Sequence, residues 1–177
     1  MTIWTVGHST LDTHAFFRLL RTHGIAMIAD VRRFPGSRRN PQFGRAALTE
    51  SLPEHGIGYE HIEALGGKRA AARDSPNTGL HNEQFRSYAD HMATTVFIAG
   101  LERLLELGRA ASVAAMCAEA VPWRCHRNLL ADALVARSVE VAHIIDEDEP
   151  KPHALHASAS VWDGTVTYPP AQTALEL

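Results

Sequence analysis

The chain has only two cysteines among its 177 residues, and both fall in one short window, at Cys117 and Cys125. Two thiols make no disulfide framework for a domain of this length, so a packed core has to supply the stability. Long apolar runs are missing too, and no stretch is suited to span a bilayer. The opening Thr2-Ile3-Trp4-Thr5-Val6 lacks the basic and then apolar regions of a secretory signal, so a cytoplasmic protein with no membrane partner is expected. An excess of one charge is also lacking. A net charge of −3 excludes indiscriminate attraction to phosphate backbones, although it permits a local basic site. Neither internal repeats nor low-complexity segments interrupt the chain.

What is present fits a single α/β domain over residues 1–177. A hydrophobic share of 45% with 21% charged residues is that of a soluble protein with one sizeable core. The charge is uneven. Arg32, Arg33, Arg38, Arg39 and Arg45 crowd one segment and Lys68, Arg69 and Arg73 another, while Asp146, Glu147, Asp148 and Glu149 form an acidic run that masks them in the net count.

Apolar runs at Ile3 to Val6, Ile25 to Ala29, Gly58 to Ile62, Ser112 to Met116 and Val139 to Ile145 predict buried strands. Helical spacing predicts a helix carrying Phe16, Phe17, Leu19 and Leu20, capped by Thr10 or Asp12 and ending at Gly24. Further helices are expected at Arg45 to His55, at Glu83 to Gly108 with a possible interruption at Gly100, and at Asn128 to Arg137. Gly66 to Asn82 reads as a long loop, of the kind that often serves as a binding segment. The Asp163-Gly164 pair signals a small hairpin near the carboxyl end. Strands alternating with helices imply a mainly parallel sheet, right-handed in its crossovers and covered on both faces in three layers.

In such a sheet the chemically rich residues gather at one edge, because His8-Ser9-Thr10, Asp30-Val31-Arg32-Arg33 and Cys117-Ala118-Glu119 each follow a strand. Cys125-His126-Arg127 precedes a helix, whose free N–H groups suit an anion. These residues carry a family resemblance. Thr5 to Ser9, Asp30-Val31-Arg32 with Pro35 and Ser37, Tyr59 to Gly67, Phe85 to Tyr88, and Met116 to Glu119 with Cys125-His126-Arg127 together resemble the domain of unknown function 488 family. The resemblance runs from the first strand to the last and implies a fold and a site at these positions.

Three chemistries compete for them. Structural zinc usually takes four ligands from closely spaced pairs, whereas Cys117 and Cys125 are separated by seven residues with no second pair. His8, His61 or Glu119 could complete a set, but the expectation is no metal and no cofactor, with Cys117 a small buried hydrophobe. A thiol enzyme for sulfur transfer or redox chemistry is the second reading, since the basic surroundings of Cys125 would favour its thiolate. The glycine-rich cradle of a sulfur-transfer loop is, however, absent from Trp123-Arg124-Cys125-His126-Arg127.

The leading expectation is a hydrolase acting on a nucleotide or nucleic acid, resembling a DNA glycosylase in cleaving an N-glycosidic bond. Glu119, Asp30, His8 and His126 are its candidate catalytic residues. Ser9, Arg32, Arg33, Phe34, Ser37, Arg38, Arg39, Tyr59, Lys68, Cys125 and Arg127 are candidates for holding phosphates and bases. A non-catalytic nucleic-acid-binding or partner-binding module is the alternative, and in it Glu119 and His126 would be structural.

Overall fold

Apolar strand runs that are buried on both faces need helices on both, and this requirement organises the molecule. The structure, a computed structural model, describes residues 1–36, 38–70 and 72–170. Five parallel strands, β1 (Thr2–Gly7), β2 (Met27–Asp30), β3 (Gly58–His61), β4 (Val113–Cys117) and β5 (Glu140–Ile144), pair with a short antiparallel β6 (Lys151–Pro152). Their order is β3-β2-β4-β1-β5-β6. The Asp163-Gly164 turn, with φ of 47° and 70°, joins β7 (Ser160–Trp162) to β8 (Thr165–Thr167) as the expected antiparallel hairpin.

The two-residue period of a strand sorts its side chains between the two layers. From β4, Ala114 and Met116 join Phe16, Leu20, Leu48 and Leu52 of α1 (Thr13–Thr22) and α2 (Arg45–Glu54). Val113 and Ala115 join Tyr88, Leu101, Leu104, Leu130 and Leu134 of α3 (Glu83–Met92), α4 (Thr95–Ala110) and α5 (Arg127–Val135). Burying each such large side chain contributes about 1.5–3 kcal/mol.

The expected single helix from Glu83 to Gly108 is two helices, and the break is not at Gly100. Thr94 Oγ1 accepts a hydrogen bond from the Phe97 N–H at 3.2 Å and starts α4 as its N-cap. Gly100 serves packing: a Cβ there would lie 2.8 Å from the Ala64 Cβ and 3.2 Å from Leu65.

The connections from β1 to β2 and from β2 to β3 run one way along the sheet, over the α1–α2 face. Those from β3 to β4 and from β4 to β5 run the other way, over the α3–α5 face. The direction therefore reverses between the adjacent strands β1 and β4. A cavity lies beyond their carboxyl ends, the place where such a reversal puts a ligand crevice.

Candidate functional site

The crevice is built on Gly7, the last residue of β1. A Cβ on Gly7 would stand 1.8 Å from the Glu119 carbonyl oxygen, so only glycine lets the segment after β4 cross this close. His8 and Ser9 then donate their N–H groups to the carbonyls of Cys117 and Ala118 at 3.1 and 2.9 Å. Arg127, fully buried at the start of α5, holds the same turn from below. Its guanidinium donates to the Glu119 carbonyl, to the Ala120 carbonyl at 3.5 Å and to Thr5 Oγ1 at 3.4 Å. This corrects the expectation for Arg127. Sealed under the turn, it fixes the backbone of Glu119 and does not line the cleft.

Asp30 is likewise not a cleft residue. Its carboxylate, fully buried, accepts from Arg32 Nε at 2.8 Å, Arg32 Nη2 at 2.6 Å, the Arg32 N–H at 3.1 Å and the Tyr59 hydroxyl at 2.8 Å. Two charges withdrawn from water need such a complete set of partners, and with all four in place Asp30 has no lone pair directed at a substrate. Tyr59 is spent on the same carboxylate, and burial together with the Asp30 charge pushes its hydroxyl pKa well up. It too is absent from the cleft wall.

The other end of Arg32 reaches the cleft floor. Nη2 donates to the Phe43 carbonyl at 2.8 Å, and Nη1 lies 3.2 Å from His8 Nε2. A guanidinium only donates, so His8 Nε2 accepts, and His8 Nδ1 carries the hydrogen given to the Ser9 carbonyl at 3.0 Å. Burial and the Arg32 charge lower the His8 pKa to about 4, which keeps the ring neutral. His8 is stacked on Phe43 with ring centroids 4.3 Å apart. With both ring nitrogens engaged, it positions the floor and has no site for proton exchange with a ligand.

Beside it lie the two thiols and His126. The Sγ atoms of Cys117 and Cys125 are 3.1 Å apart, and His126 Nδ1 is 3.5 Å from Cys125 Sγ and 4.0 Å from Cys117 Sγ. Both cysteines are free and buried, as expected of Cys117. The contact between the sulfurs, followed by burial, raises the Cys117 pKa; the same contact and the Arg127 charge lower that of Cys125, whose Sγ also faces the Arg127 N–H at 3.5 Å. His126 Nε2 donates to the Val31 carbonyl at 2.9 Å, which turns Nδ1 toward the sulfurs.

Above this floor is a cavity of about 610 Å³. His8, Ser9, Arg32, Cys117, Glu119, Cys125 and His126 line it, so three strand ends and the start of α5 do converge. Arg33, Phe34, Arg39 and Lys68 form the rim, with Phe34 65% exposed and the Arg33 guanidinium 5.3 Å from its ring centre. Arg33 Nη1 donates to the Lys68 carbonyl at 2.5 Å, which ties the rim to the long loop. Arg38 is exposed but does not line the cavity, and Ser37 lies outside the described residues.

Thr10, Asn40, Gly67, Gln84, Phe85, Tyr88 and Arg124 also face the cavity, and of these the sequence singled out only Thr10, as part of a strand end. Arg124 stood inside the Cys-His-Arg window. Phe85 and Tyr88 were marked only by the family resemblance, because their helix reads as ordinary amphipathic core.

No curated protein and no solved structure matches the chain. One family model does, over residues 12–134, a span that takes in the basic loop, Glu119 and the Cys-His-Arg window. The chain belongs to the family described as domain of unknown function DUF488.

Proposed function

We propose that the cleft takes a nucleotide unit, free or within a nucleic acid, and hydrolyses its N-glycosidic bond. The observation that carries this reading is the composition of the wall. Glu119 is the one carboxylate among the described cleft residues, and it stands among Arg33, Arg39, Lys68 and Arg124. The volume falls in the range of about 300–1,000 Å³ usual for small-molecule sites. Guanidinium and ammonium groups suit phosphate oxygens, and the exposed ring of Phe34 suits the face of a base.

A single carboxylate is enough for this bond. The base departs with the electrons of the C–N bond, leaving positive charge on the sugar that the Glu119 carboxylate stabilises. Water adds to the anomeric carbon and gives up its proton through Glu119, while the departing base is protonated from solvent. Paired carboxylates, as in most enzymes that cleave bonds between sugars, are absent from the described wall.

The test is a single-turnover assay of base release on nucleotides and on duplexes carrying damaged or modified bases. The wild-type protein should release a base from one of them, and Glu119→Gln should bind the same substrate equally well while turning it over at least about a hundredfold more slowly. No release from any substrate, or full activity of Glu119→Gln, would overturn the reading.

A further inference from the structure

We propose that Cys117 Sγ, Cys125 Sγ and His126 Nδ1 are the three protein ligands of one Zn²⁺, or a similar thiophilic divalent ion, whose fourth coordination position opens on the cleft. The inference does not depend on the substrate assigned above.

Distance is the first ground. On a tetrahedral zinc with Zn–S of about 2.3 Å and Zn–N of about 2.0–2.1 Å, two sulfurs stand about 3.8 Å apart, and a sulfur and a nitrogen about 3.6 Å. The two sulfur–nitrogen separations, 3.5 and 4.0 Å, straddle their value and the sulfurs at 3.1 Å stand closer than theirs, so movements of a few tenths of an ångström by each ligand atom would complete the triangle. All three ligand atoms lie within 4.8 Å of one another.

Orientation is the second and independent ground. A metal-binding imidazole characteristically gives its other N–H to a carbonyl or carboxylate, which fixes the tautomer and turns the ligating nitrogen inward. The Val31 carbonyl does this for His126. Gly67 sits so close that a Cβ would be 2.9 Å from His126 Nδ1, so any larger residue there would crowd the ligating nitrogen. The Arg127 N–H directed at Cys125 Sγ is the matching outer contact for a thiolate.

Charge is consistent with the assignment. Two thiolates neutralise a divalent cation, and Arg127, which forms no ion pair with a carboxylate among the described residues, gains a nearby anion in the Cys125 thiolate. Linear spacing argued against zinc because it supplied no fourth ligand. Three protein ligands and an open position are the pattern of reactive rather than structural sites, and all three ligand residues line the cavity. A water bound there would be acidified toward neutrality, in the same cleft as the Glu119 carboxylate.

The experiment uses the full chain, reduced, stripped with a chelator and kept anaerobic, and titrated with Co²⁺. One Co²⁺ per chain should bind, with the intense sulfur-to-cobalt charge-transfer absorption of thiolate ligation, and Zn²⁺ should displace it. Azide should shift the cobalt bands by entering the open position; bands that azide leaves unchanged would contradict that part of the assignment. Cys117→Ser, Cys125→Ser and His126→Gln, each checked for folding by circular dichroism, should lose the stoichiometric site. Should these variants unfold, the wild-type protein still decides: zinc should slow alkylation of both thiols at least about tenfold. Absence of metal binding by the reduced protein, full stoichiometry in the folded variants, or equal alkylation rates with and without zinc would overturn the proposal.

Discussion

Single side chains in this molecule divide into those that hold the cleft and those that face it, and the division can be measured. Asp30 belongs to the first group, and Asp30→Asn would leave Arg32 buried with its charge uncompensated. The expected loss is about 3–5 kcal/mol of unfolding free energy, read by denaturant titration; a change below about 1 kcal/mol would contradict the burial argument. Arg39 and Lys68 belong to the second group. Replacing both with Ala should weaken binding of a nucleic-acid ligand and lower its salt slope by about one unit per lost phosphate contact. Arg38→Ala should change that slope less, since Arg38 stands off the cavity, and an equal effect of Arg38 would show that the ligand leaves the cleft along the basic loop.

At the scale of elements, the break between α3 and α4 follows capping chemistry, at Thr94, and not the glycine at position 100. Thr94→Ala should cost about 1 kcal/mol by removing the cap of α4. Gly100→Ala should also destabilise, despite alanine's better helix propensity, because its methyl group meets Ala64; a stabilised Gly100→Ala would show that α4 has room to shift. The five parallel strands, the α/β class and the terminal hairpin were legible in the sequence, since two-sided burial writes continuous apolar runs and Asp-Gly writes a tight turn; the two-residue, exposed β6 was not. The convergence of His8, Glu119 and His126 was legible for a similar reason, as a parallel sheet sends all its strand ends to one edge. Which of the charged residues faces inward was not. Asp30 and Arg127 look like site residues in one dimension, and only packing shows that four donors surround the first and that a backbone turn covers the second. The Cys117–Cys125–His126 triangle was hidden by the intervening turn, which folds a seven-residue gap into contact.

Across the whole molecule a buried polar chain links the carboxyl-terminal region to the cleft. Tyr168 and His153 donate to Asp132 at 2.7 Å each, His143 Nε2 lies 2.9 Å from His153 Nδ1, and Thr5 Oγ1 lies 2.7 Å from His143 Nδ1; Arg127 closes the chain on Thr5. With His143 neutral, every link of this chain pairs a donor with an acceptor. Burial, then the neighbouring His153 and Arg127, lower the His143 pKa to about 4, as burial does for His8. The unfolded chain therefore binds protons on these histidines, below a pH of about 6.5, that the native protein refuses down to about 4, so stability falls as the pH drops through that window. Thermal melts should show a falling Tm between those limits, with a shallower decline in His143→Gln; a flat or rising Tm would contradict neutral, buried His8 and His143.

The proposal that the cleft holds and cuts a nucleotide meets its sharpest test in a crystal structure of the protein soaked with a nucleoside monophosphate. The ligand should lie in the cavity beyond the carboxyl ends of β1 and β4, its phosphate within hydrogen-bonding distance of at least one of Arg33, Arg39, Lys68 and Arg124, and its sugar beside Glu119. A nucleotide bound elsewhere, or a cavity left empty at a saturating concentration, would contradict it.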